Sequence, residues 1–153
     1  MNTNFFNKRL AHTLGFAGLV PFVLLSLGCW VVHPSWLGTL IKGQLAYGIS
    51  ILSFLGGIHW GAALTCNALT IGQTKRALVW GVTPSLIALL AAKAILGLGF
   101  AVLTVGFIAA YQVDKRLYQW YGIADWFIRL RRQLSFVVVA ALVLTFIAAN
   151  VRS

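Results

Sequence analysis

Carboxylates are almost missing from this chain. Asp114 and Asp125 are its only two acids, there is no glutamate, and 12 Lys+Arg leave a formal net charge of +10. Charged residues of either sign make up only 9% of the 153 residues, where a water-soluble domain carries roughly 25%. So few charges cannot cover a surface of normal size in water. None of the apolar runs holds a carboxylate at its middle, which argues against a proton or sodium relay of the usual Asp/Glu type. Cysteine is also scarce. Cys29 and Cys66 have no Cys-x-x-Cys spacing, and the topology below puts them at opposite membrane faces, so an intrachain disulfide is excluded. No phosphate-binding glycine loop, zinc-protease motif or nucleophile elbow is present. No pair of histidines is placed for haem ligation, since His12 and His33 fall near opposite faces. Neither a metal nor a cofactor is expected.

What remains is 60% hydrophobic, with a mean hydropathy of +0.89. A bilayer-spanning helix needs about 20 predominantly apolar residues. Runs at 13–32 and 45–65 meet that length. A third run, Ala77 to Val113, is too long for one span and divides at Lys93 and Gly97 into 77–92 and 95–113. The last run is 134–151. The sequence therefore predicts an all-α, polytopic membrane bundle of about five transmembrane helices, a single integral membrane domain over 1–153. Leu25 to Cys29 faintly resembles a lipoprotein cleavage site. Ser26 stands where leucine is usual and the apolar run continues to Val32, so an uncleaved first span is expected.

Basic residues orient the bundle. Lys8, Arg9, Lys75, Arg76, Lys115, Arg116, Arg129, Arg131 and Arg132 fall on one side of a five-span topology, and Lys42, Lys93 and Arg152 on the other. Nine against three puts the N-terminus in the cytoplasm and the C-terminus in the periplasm. The same pattern makes the bilayer and its anionic headgroups the expected partners, with no nucleic acid.

Segment 114–133 interleaves aromatic and basic residues. Leu117, Trp120, Tyr121, Ala124, Phe127 and Ile128 recur at helical steps, which predicts an amphipathic helix in the interface, bent at Gly122. Trp120, Trp126, Arg129, Arg131 and Arg132 then meet the headgroups, either as a plain aromatic belt or as a docking surface. Small residues predict helix packing: Ala77, Gly81, Ser85, Ala88 and Ala92 in the third span, Gly57 and Gly61 with Ser53 in the second and Gly56 beside them, and Gly106 with Ala110 in the fourth. The second and third spans are expected at the centre. Pro21 and Pro84 each free a carbonyl, with Ser26, Thr83 and Ser85 as nearby donors.

His59 lies inside the second span, about 9 Å from its end at 1.5 Å per residue. An ionisable group at that depth marks a functional site or a neutral imidazole tied to a neighbouring helix. Asp114 ends the fourth span on the same side and could pair with His59, or with Arg76, Lys115 or Arg116. With Trp60, these residues would line an inward-facing pocket for a small ligand, and a path to His59 is what such a pocket requires.

Gly18 to Pro21, the run Ser53-Phe-Leu-Gly-Gly-Ile-His-Trp-Gly61, Trp80 with Pro84-Ser85, the aspartate closing the fourth span, and Trp126 followed by Arg129-Leu-Arg131 together resemble a family. Its members are small multi-pass bacterial inner-membrane proteins with mitochondrial transmembrane relatives, classed as a domain of unknown function. The resemblance runs from about Leu14 to Ala148. It implies fold and location and carries over no activity, substrate or cofactor. Without an Arg/Ser-rich presequence, the chain reads as a bacterial member. The functional expectation is a non-catalytic accessory or assembly factor of a membrane complex, acting with a membrane-protein partner or a second copy of itself. A small-ligand binding or permeation protein is the alternative, and a lipid- or quinone-acting enzyme the second alternative.

Overall fold

Five long helices make up the computed structural model, which describes residues 3–152, with side chains from residue 7. They are α1 (Thr3–Val31), α2 (Pro34–Thr65), α3 (Ile71–Lys93), α4 (Leu96–Trp120) and α5 (Asp125–Arg152). Every one contains a window long and apolar enough to cross a bilayer. Leu24, Phe54, Leu90, Val105 and Phe136 all point outward and are more than half exposed. A continuous apolar surface of this kind is stable only against lipid. The protein is a multi-pass membrane protein.

Local signals explain where the helices start and stop. The His33 ring accepts a hydrogen bond from the Ser35 amide, and Pro34 occupies the first turn, where no amide donor is needed. Nothing between Pro34 and Leu45 breaks the helix. Hence α2 begins at Pro34 rather than at 45, and Lys42 sits on a helix rather than in a loop. Thr70 and Gln73 form a reciprocal capping box at the start of α3. Lys93 ends α3 and Leu96 opens α4, the tight hairpin that the lysine and Gly97 foreshadow. An odd number of alternating spans puts the chain ends at opposite ends of the bundle. The Arg152 guanidinium confirms the register, donating to the Cys29 carbonyl at 2.5 Å and the Val32 carbonyl at 2.7 Å, where α1 ends. Both cysteines are free, Cys29 at that end and Cys66 at the other.

The expected interfacial helix over 114–133 does not form as a separate element. Residues 114–120 extend α4, residues 125–133 begin α5, and a turn joins them. Gly122, at φ 69°, is the left-handed residue of this turn. The Ile123 amide donates to the Tyr118 carbonyl and the Gly122 amide to the Gln119 carbonyl, a Schellman closure in which glycine avoids the Cβ penalty. The aromatic periodicity is real, but it belongs to two transmembrane helix ends.

The helices form a ring in the order α2, α3, α4, α5, α1. α2 closes the ring and also touches α4 and α5. Among the described residues it alone contacts all the others, and α3 packs only on α2 and α4 and is peripheral, contrary to the sequence expectation. The small-residue stripe of α3 is Ala77, Gly81, Pro84, Ala88 and Ala91, with Ser85 only half-buried and Ala92 exposed. On α2 the packing glycine is Gly56. A Cβ on Gly56 would lie 2.2 Å from the Gly81 carbonyl oxygen, whereas Cβ atoms on Gly57 or Gly61 would meet nothing within 4 Å. Gly57 and Gly61 face outward. Backbone contact at Gly56–Gly81 supplies the van der Waals packing that holds helices together in lipid. Gly106 and Ala110 are buried as expected.

Hydroxyls near the prolines act differently from the expectation. Ser26 donates across the bundle to the Ala141 carbonyl on α5 at 3.1 Å, and Thr83 donates within α3 to Val79. Around Pro21 it is α2 that contributes donors. The Tyr47 hydroxyl reaches the Gly18 carbonyl at 2.8 Å and the Gln44 amide reaches the Phe22 carbonyl at 3.3 Å.

Candidate functional site

Three ionisable side chains meet at one depth. His59 stands six residues before the end of α2, Asp114 six residues before the end of α4, and Arg131 six residues after the start of α5. At 1.5 Å per residue each lies about 9 Å inside its helix end. All three are buried, with His59 0% and Asp114 1% exposed.

Asp114 organises the cluster. Its Oδ1 accepts from His59 Nε2 at 2.7 Å and from the Trp80 indole at 3.2 Å. Its Oδ2 accepts from Arg131 Nη2 at 3.0 Å. Three N–H donors converge on one carboxyl group, the set that a carboxylate, which only accepts, is suited to receive. Arg131 also donates through Nη1 to the Ser135 hydroxyl one turn along α5. The buried negative charge thus has a buried positive partner, which such depth requires. Tyr118 stacks on His59 with ring centroids 5.5 Å apart, and its hydroxyl faces the Arg131 guanidinium outside hydrogen-bond geometry.

The remaining imidazole nitrogen, Nδ1, is 2.8 Å from the Tyr121 hydroxyl. With Nε2 donating to Asp114, a neutral ring leaves Nδ1 as an acceptor, so the network assigns the phenol as donor. Burial first, and then the nearby Asp114 charge, push the Tyr121 phenol up to about 12, so its proton stays in place at neutral pH. Tyr121 is the capping residue of α4. The Gly122 closure described above is what turns its side chain back over His59.

The expected His59–Asp114 pair is therefore present, while Arg76, Lys115 and Arg116 do not join it. Trp60 does not join it either. It lies on the outer side of α2, half exposed, and its indole donates to the Leu78 carbonyl at 3.0 Å. A Cβ on Gly81 would lie 2.3 Å from the Trp60 ring, so this glycine admits both the α2 backbone and the indole. Arg131, expected at the headgroups, is 5% exposed and belongs to the core. The reason is helical phase: with α5 starting at Asp125, Arg131 falls on the stripe of Ser135, Val138, Leu142 and Thr145. Arg129 and Arg132 are exposed. Trp120 packs half-buried against the Ala63, Ala77 and Leu117 cluster. Trp126 stacks on His12 at 5.5 Å with the Lys8 ammonium 5.9 Å from its ring.

Sequence reasoning missed Arg131, Trp80 and Tyr121 as partners of Asp114 and His59, and Ser135 as a partner of Arg131. A signal was available for two of them, since Trp80 and Arg131 are among the residues that carry the family resemblance. Among the described residues no group of three or more His, Cys, Asp or Glu side chains is placed to hold a metal ion.

Fold and cluster define a class: a polytopic α-helical membrane protein whose interior holds an Asp–Arg–His network near one end. Its family follows from comparison. The chain belongs to the family described as "Protein of unknown function (DUF3429)", whose model matches residues 7–147. It is 34% identical to Transmembrane protein 69 of Xenopus tropicalis over 90% of this chain and 54% of that protein. Transmembrane protein 69 of Mus musculus is 40% identical over 38% of this chain and 23% of its own length. An uncharacterized protein of Treponema pallidum (strain Nichols) is 30% identical over 45% of this chain and 44% of its own. The chain spans about half the length of the first of these. No solved structure matches it.

Proposed function

We propose that this is a non-catalytic protein of the bacterial inner membrane, N-terminus in the cytoplasm and C-terminus in the periplasm, that serves as an accessory or assembly factor of a larger membrane complex. The observation that carries the reading is the closure of its ionic cluster. Both imidazole nitrogens of His59 and both oxygens of Asp114 are engaged by protein groups, and neither side chain reaches the surface. A catalytic or ligand-binding group needs a coordination position open to its substrate. A network with its central positions filled instead ties α2, α3, α4 and α5 in one register. The binding or permeation alternative needs a path to His59, and the enzyme alternative needs a reacting atom beside it. The full burial of His59 favours neither alternative.

The orientation rests on the basic residues, nine of which fall at the Gly122 end of the bundle by the five-span count. Exposed Arg129 and the half-buried tryptophans at the same end offer the surface on which a membrane complex would dock. The test is isolation from gently solubilised native membranes. Co-purification with a defined complex at a stoichiometric ratio is expected. Recovery as a monodisperse protein with no companion chain would overturn the proposal.

A further inference from the structure

The lipid-facing seam between α4 and α5 is not fully packed. Three cavities follow it in register along the antiparallel pair. The first, about 520 Å³, lies at the Arg152 end, where α2 also lines it through Leu37 and Ile41, and reaches Phe100 and Phe146. The second, about 260 Å³, shares both phenylalanines and continues along Thr104, Val105 and Val143. The third, about 200 Å³, is lined by Ile108, Tyr111, Arg132, Ser135, Phe136 and Val139 at the Gly122 end. The walls of the second and third cavities are almost wholly apolar. Thr104 turns its hydroxyl back to the Phe100 carbonyl at 2.8 Å, so it has no donor to offer an occupant. The Ser135 hydroxyl oxygen accepts from Arg131.

Charge changes abruptly where the groove meets the Gly122 end. Arg132 is exposed there, and the Lys115 ammonium lies 5.7 Å from the Tyr111 ring centre. Among the described residues neither has a carboxylate to pair with. Asp114 is turned inward to His59, Trp80 and Arg131, and Asp125 lies seven residues before Arg132 on α5, about 10 Å away along the axis. Two cations at the mouth of an apolar groove match a molecule with an anionic head and a hydrocarbon tail. A guanidinium and an ammonium on flexible stems suit a phosphate at the headgroup level.

We propose that the α4–α5 seam is a binding site for one anionic phospholipid, its phosphate held by Arg132 and Lys115 and one acyl chain laid past Ile108 and Val139 toward Phe146. The site is independent of any protein partner. It also abuts the buried network, because the Ser135 that lines the groove accepts from Arg131 Nη1. Lipid in the groove shields that hydroxyl from water and so supports the cluster behind it.

Native mass spectrometry of the full chain, titrated with phosphatidylglycerol or with phosphatidylcholine of the same acyl chains, tests the site. One phosphatidylglycerol is expected to survive activation that strips phosphatidylcholine. Arg132→Gln and Lys115→Gln should each weaken retention about fivefold, the effect of one cation near an anionic surface. Arg129→Gln, an exposed cation of the same end away from the groove, should leave it unchanged. Val139→Trp fills the groove without touching the charges and should abolish retention. Ile108→Trp, at a position 47% exposed and outside the core, repeats that test should the first variant fail to fold. Equal losses for Arg129→Gln and Arg132→Gln would reduce the effect to diffuse headgroup attraction and overturn the site. Undiminished retention in a folded tryptophan variant would do so too, as would crosslinking of the seam to a second copy of the chain.

Discussion

His59 and Asp114, separated by 55 positions in the chain, share a 2.7 Å hydrogen bond about 9 Å inside the bundle. The contact works because the carboxylate is also neutralised by Arg131 from a third helix. Without that guanidinium, a lone aspartate at this depth would be a strong source of instability.

Breaking the charge pair on one side should therefore be worse than removing both charges. Arg131→Gln leaves Asp114 as a buried charge without its counter-ion and is expected to lower stability by about 3–5 kcal/mol. The double variant Asp114→Leu, Arg131→Met should recover more than half of that loss. Unfolding in a fixed detergent, followed by far-UV circular dichroism, measures both. A double variant less stable than either single one would contradict the account of the cluster as a compensated charge pair.

Neighbouring glycines on α2 should respond in opposite ways. Gly56→Ala drives a methyl group into the Gly81 carbonyl, and overpacking of this kind costs about 1–3 kcal/mol even where neighbours can shift. Gly57→Ala points into open space and should be neutral or slightly stabilising. Comparing thermal midpoints of the two proteins decides it.

Alkaline pH should loosen the cap over the cluster. The Tyr121 phenol titrates from 10.0 in the unfolded chain to about 12 in the folded one, which means folding favours its protonated form. Its contribution is complete below about pH 10 and is lost as pH rises through about 12. Tyr121→Phe removes the hydrogen bond to His59, costs about 1 kcal/mol, and should flatten the stability profile across that window. An unchanged alkaline limb in the variant would separate Tyr121 from the effect.

The cysteines report orientation without any engineering. Cys66, partly exposed at the end of α2, should react with a membrane-impermeant maleimide from the cytoplasmic side only, while fully buried Cys29 stays unmodified in the folded protein. Labelling of Cys66 in intact cells would reverse the proposed topology.

Much of this organisation is legible along the chain. Apolar run lengths locate five spans, Lys93 with Gly97 locates the hairpin between the third and fourth, and the depth of His59 singles it out. Asp114 is legible as its partner because so few acids exist to compete. Arg131 is not, since an arginine among Trp126, Arg129 and Arg132 reads as one more headgroup contact. Only the point at which α5 begins sets its phase, and that point depends on the Schellman turn at Gly122. The same limit applies at Gly56 and Gly57. Adjacent residues on a helix lie about 100° apart, so composition alone leaves open which of the two meets α3.

Local composition summed over a length of chain settles the solvent of this protein, the number of its helices and the bias of its charged ends. Tertiary structure alone decided which side chains the interior holds. That choice depends on the rotation of each helix about its own axis, and rotation is set by what the neighbouring helices can accept. For Asp114 the decisive neighbour was Arg131 on α5.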